Sequence, residues 1–211
     1  MHDEVGADDA IARVRRAVRE VERETHGRPL TGTSHDDADA VVGTIATDSA
    51  IGFDPLPVLA ALSHHGAQVV VMGQVAGIMH GSTELTGDLD LLWDGDIRQA
   101  PRLAAAFGSL GSTITDAEGV AIPCAADAFQ LPKVYFDAPT ASGDCCTTRL
   151  PWGELDIGRI IRHADTAASA EGVIVYYVNA DDLIKMRRAV GRPKDLRRAD
   201  ELDRLLNAPK P

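Results

Sequence analysis

The chain has 211 residues, 45% of them apolar and 25% charged, with 21 basic against 32 acidic side chains for a formal charge of −11. That is the composition of an ordinary globular protein of one domain, or one domain with an appendage. The acidic balance excludes a general nucleic-acid coat, which relies on a basic surface making many phosphate contacts. The opening Met-His-Asp-Glu carries acid where an export signal carries base. The longest stretch free of Asp, Glu, Lys and Arg, 55–83, is interrupted by proline, histidine, glutamine and glycine, so no membrane span is expected. Three cysteines, Cys124, Cys145 and Cys146, form neither a paired framework nor a spaced metal site. A cytoplasmic protein is the expectation.

In chain order, Ile11, Val14, Val18 and Val21 recur at helical spacing and predict an amphipathic helix from Asp8 to Thr25. Ser34 can cap a second helix through Ala38, Val41, Val42 and Ile45. Residues 1–53 thus read as an N-terminal helical extension that packs on the body or on a protein partner, and 54–211 as the main domain. Asp54-Pro55 opens a helix that stops near Gly66. A strand over 68–72, a short helix over 75–80, a strand over 88–93 and a helix over 98–110 follow. A helical turn at 125–130 leads to a strand at 133–136, and further strands are expected over 151–157 and 172–178. Asn179 caps a helix ended by Gly191, and Pro193 begins the last helix. The fold class is α+β. Between Lys185 and Arg204, eight bases face four acids, a local basic site or a solvated helix face.

In Thr86-Gly87-Asp88-Leu89-Asp90-Leu91 the two carboxylates lie two apart on a strand, so both leave the same face while the leucines enter the core. Two acids held side by side repel unless a hard cation sits between them, and an oxygen-only set suits Mg²⁺ or Mn²⁺. Upstream, the strand Val69–Met72 runs into Gly73-Gln74 and a helix, a turn whose backbone N–H groups can face a phosphate. A third acid would let the site hold two metals and activate a hydroxyl. Asp156, in Glu154-Leu155-Asp156-Ile157, is the candidate: Glu154 shares its face, and the apolar residues flanking Asp156 favour it of the two.

The stretch 71–90 resembles the first motif of the polymerase-beta-like nucleotidyltransferase superfamily, with small bacterial branches such as AbiEii-like toxins as the nearest likeness. The segment 179–196, holding Lys185, Arg192, Lys194 and Asp195, is similar to the C-terminal motif of those branches. The resemblance spans about 55–206 and implies a nucleotidyltransferase-like mixed sheet flanked by helices. It implies that Asp88, Asp90 and Asp156 hold Mg²⁺ or Mn²⁺ and help deprotonate a hydroxyl. By the same resemblance Gly73 and Gln74 lie against the phosphates of an NTP, and Lys185, Arg192 and Lys194 complete the nucleotide site. A nucleoside monophosphate would pass to a hydroxyl on a protein, an RNA or a small molecule, with loss of pyrophosphate. Two positions depart from the motif: Gln74 replaces a glycine or serine, and Glu84 replaces a frequent arginine. They favour an alternative, a catalytically weak or inactive nucleotide-binding module, such as one half of a toxin–antitoxin pair. A sugar-nucleotide glycosyltransferase also uses Asp-x-Asp but expects a longer nucleotide-binding half ahead of it.

Overall fold

The computed structural model describes residues 7–33 and 44–208. The helix expected from Ser34 falls largely outside the described residues; its end, with the segment after it, forms two short 3₁₀ turns at Thr44–Ala46 and Asp48–Ala50. Helix α1 (Ala7–Thr25) buries Ala10, Ile11, Val14 and Val21 and leaves its charged positions outside, as its periodicity dictates. Next come α2 (Leu56–His64), β1 (Val70–Val71), α3 (Gly73–Met79), β2 (Leu89–Trp93) and α4 (Ala100–Ser109). Three strands follow that the sequence did not announce or announced only in part: β3 (Thr113–Thr115), β4 (Ala121–Ile122) and β5 (Lys133–Ala138). Then β6 (Ala141–Thr147), α5 (Ile157–Arg162), β7 (Asp165–Ala168), β8 (Ile174–Tyr177), α6 (Ala180–Val190) and α7 (Pro193–Asn207) complete the chain.

The eight strands form one mixed sheet in the order β4-β3-β5-β6-β2-β1-β8-β7. The pairs β1/β8 and β2/β6 are parallel, and the remaining neighbours are antiparallel. Helix α1 packs on α3 and β7, α2 on α4 and β8, and α6 on α7 and α3. One apolar core runs through these layers and includes α1. Leu89, Leu91, Leu92 and Trp93 are at most 1% exposed. Burying each such leucine stabilises the fold by roughly 1.5–3 kcal/mol, so β2 is fixed in place beneath whatever its other face carries. Among the described residues no helix is long and apolar enough to cross a membrane.

Two corrections bear on function. The strand expected over 151–157 does not form: Pro151 and Gly153, the latter at φ +64°, turn the chain, and the Leu155/Ile157 alternation leads into α5 instead. On the side of β2 away from β1 lies β6, a strand the sequence did not announce, joined to β5 by a hairpin turn at Pro139-Thr140.

Candidate active site

On β2, Leu89 and Leu91 point into the core and Asp90 points to the opposite face. Across the parallel pairing Asp90 is in register with Asp144 of β6, and Asp88 precedes the strand on the same side as Asp90. Gly143 makes this approach feasible, because a Cβ there would come within 2.7 Å of the Leu89 carbonyl carbon. Gly73 does the same at the end of β1: its φ is +62°, and a Cβ would fall 2.7 Å from Cγ of Asp90.

Each carboxylate has its own surroundings. Asp88 Oδ1 accepts from the Thr44 hydroxyl at 2.8 Å and from the Thr86 hydroxyl, all three residues being buried. Asp144 Oδ2 pairs with Lys133 Nζ at 2.7 Å, and its Oδ1 accepts from the Cys146 thiol at 3.4 Å. Burial pushes the Lys133 ammonium pKa down, but Asp144 more than offsets this and the net shift is upward. Asp90 keeps a part of its surface open to the cavity. Desolvation, followed by the charges of Asp88 and Asp144, pushes its carboxyl well above the usual carboxylate range.

The three aspartates line a cavity of about 210 Å³ whose remaining wall is mostly basic: Lys133, Arg187, Arg192, Lys194 and Arg198, with Thr44, Gly73 and one further acid, Asp195. The α6–α7 corner places most of these. Asn179 caps α6 by accepting from the Asp182 N–H at 3.0 Å, Gly191 ends it in the left-handed conformation, and Pro193 starts α7 two residues later. Arg187 is buried and spans the corner. Its Nη1 donates to Arg198 O at 2.9 Å, and its Nη2 donates to Gln74 Oε1 at 2.8 Å and to Gly73 O at 3.2 Å. Burial and then the neighbouring Arg198 lower its pKa to about 10. Lys194, 4% exposed, has its pKa lowered by burial and then by Arg192 and Arg198. Arg192 is paired with Asp195 at 2.6 Å and Arg198 with Glu84 at 2.7 Å, so part of this basic charge is already matched by carboxylates.

The same three aspartates also line a second cavity, of about 360 Å³, with Ser49, Glu118, Tyr135 and Ser142 on its walls. No lysine or arginine lines it among the described residues. The carboxylates are therefore a partition: basic groups stand on one side of it, and hydroxyls, an aromatic ring and further acid on the other.

Of the residues singled out from the sequence, Asp88, Asp90, Gly73, Arg192 and Lys194 meet at the basic cavity. Asp156 does not. It is exposed, sits at the N-cap of α5, and accepts there from the Arg159 N–H at 2.9 Å. Asp144 holds the third carboxylate position instead. Gln74 lies behind the cavity wall, 2% exposed, donating to Ser82 Oγ at 2.9 Å and Glu84 O at 2.7 Å while it holds Arg187, so its amide is spent on protein groups. Lys185 points away and pairs with Asp182 at 3.2 Å. Glu84, the other departure from the motif, pairs with Arg197 at 3.1 Å and Arg198 at 2.7 Å and so draws α7 toward the site. Asp144, Lys133, Thr44, Arg187 and Arg198 were not singled out by sequence. His80 is structural: Nε2 lies 2.8 Å from Val178 O, the ring packs on Tyr177, and burial lowers its pKa.

Asp88 and Asp90 supply oxygen donors of the kind a hard divalent cation takes. As the side chains stand, no three His, Cys, Asp or Glu among the described residues form a group able to hold a metal ion, and Asp144 is turned to Lys133. Neither a family model nor a curated protein sequence matches the chain.

Proposed function

We propose that the chain is a metal-dependent nucleotidyltransferase, as its resemblance to the polymerase-beta-like superfamily implies. The observation that supports this most is the partition: Asp88, Asp90 and Asp144 separate a basic cavity from one that no lysine or arginine lines among the described residues. An NTP is a polyanion, and its triphosphate fits the side carrying Arg187, Arg192, Lys194 and Arg198. The acceptor fits the other side, where a neutral or cationic hydroxyl compound, or a protein hydroxyl, suits the lining better than an RNA end does.

Asp88 and Asp90 would hold Mg²⁺ or Mn²⁺, which when bound supplies positive charge at the reacting phosphate. The remaining chemistry belongs to the chain's own groups. Lys194 and Arg192 hold the β and γ phosphates and keep the α phosphate at the partition, so that attack becomes effectively intramolecular. The acceptor oxygen forms a bond to the α phosphorus, the bond from that phosphorus to the bridging oxygen breaks, and pyrophosphate leaves on the basic side. The acceptor's proton passes to a carboxylate of the partition, Asp144 in this reading.

A second reading, a nucleotide-binding module without turnover, is favoured by one observation, the engagement of Asp144 by Lys133. Incubating the protein with NTPs labelled in the α phosphate, Mg²⁺ or Mn²⁺ and cell extract separates the two. Transfer of label that is lost in Asp88→Ala supports the enzyme; equal labelling by both proteins removes it.

A further inference from the structure

The metal ledge has a fixed cation of its own. Lys133 Nζ lies 2.7 Å from Asp144 Oδ2, lines the basic cavity beside Asp88 and Asp90, and sits 4.5 Å from the centroid of the Tyr135 ring. Tyr135 is the register partner of Asp144 across β5 and β6, and Lys133 is the partner of Cys146, whose thiol donates to the other oxygen of Asp144. Both oxygens of Asp144 are thus engaged by groups anchored on two strands of the same hairpin, and the ammonium is held from a second side by an aromatic face.

We infer that Lys133 takes the place of a second divalent cation, so that the site binds one metal ion, at Asp88 and Asp90, and uses a lysine ammonium as its other positive charge. The carboxylate oxygens point the same way: with one oxygen of Asp144 on Lys133 and the other on the Cys146 thiol, a second ion could reach Asp144 only by displacing Lys133. The inference rests on the nucleotidyltransferase reading and adds to it a metal count and a role for Lys133 at the ledge.

Manganese titration followed by the electron paramagnetic resonance signal of free Mn²⁺ tests this without any turnover. Wild type is expected to bind one ion per chain, Lys133→Arg one, Lys133→Met two, and Asp90→Asn none. Two ions on wild type, or one on Lys133→Met as on wild type, overturns the inference and leaves the nucleotidyltransferase reading standing. No ion on wild type overturns both. The wild-type count decides by itself if Lys133→Met does not fold.

Discussion

Asp90 and Asp144 face one another in register across two parallel strands, β2 and β6, and with Asp88 they divide a basic cavity from a second one that no base lines among the described residues. Neighbouring strands lie about 4.8 Å apart, so these acids share one field. The proposed chemistry depends on that closeness, and it distinguishes Asp144 from other acids of the chain.

Asp144→Asn should abolish nucleotidyl transfer, whereas Asp156→Ala should leave it intact. Asp156 caps α5 through the Arg159 N–H, so its loss should cost about 0.5–2 kcal/mol of stability. Transfer assays paired with urea denaturation separate the two effects. Transfer lost in Asp156→Ala and kept in Asp144→Asn would reverse the assignment.

Gly73→Ala combines two insults. Its φ of +62° disfavours any side chain, by about 1–2 kcal/mol, and the new Cβ meets the Asp90 carboxylate. A lower urea midpoint together with loss of divalent-ion binding is the expected outcome. Unchanged ion binding would mean that Asp90 can move aside freely.

Gln74→Leu tests whether this residue serves the fold or the phosphates. Its amide is committed to Ser82, Glu84 and the buried Arg187. Leaving these partners unsatisfied should cost about 1–3 kcal/mol. Stability should fall by that order, and nucleotide affinity only as far as Arg187 shifts. A large loss of affinity at unchanged stability would restore a direct phosphate contact.

Asp90 gives a pH signature. Its carboxyl is raised in the folded protein by burial and by Asp88 and Asp144, so between the ordinary value of 3.8 and the raised one the folded state binds more protons than the unfolded chain. Stability contributed by this group is therefore present at low pH and is lost as pH rises through that window. Asp90→Asn should be more stable than wild type at about pH 7, with the gap closing toward pH 4, and saturating Mg²⁺ should stabilise wild type alone. Thermal unfolding at both pH values reads this out; a variant less stable than wild type at neutral pH would contradict it.

The parts of the site that follow local rules were legible in the sequence. Asp88 and Asp90 alternate with buried leucines, and Arg192 and Lys194 follow a helix whose Asn179 cap and Gly191 stop are both local signals. Asp144 was not legible, because Ala-Ser-Gly-Asp-Cys-Cys-Thr has almost none of the β-branched or aromatic residues that mark a strand. Its strand is imposed by pairing with β5 on one side and β2 on the other, and the signal that could have found it is the turn after the clear strand Lys133–Ala138. Asp156 misled for the opposite reason: Glu-Leu-Asp-Ile alternates like a strand, yet an aspartate three residues before Arg159 is equally a helix cap. Thr44 reaches Asp88 from a segment read as an appendage, a contact that no local pattern encodes.

The most direct test of the whole account uses one NTP labelled in two ways, in the α phosphate and in the γ phosphate, with Mg²⁺ and acceptors drawn from cell extract. The account predicts that α label enters the acceptor while γ label leaves as pyrophosphate, and that Asp90→Asn does neither. Transfer of γ label to the acceptor, or α-label transfer that survives in Asp90→Asn, would contradict it.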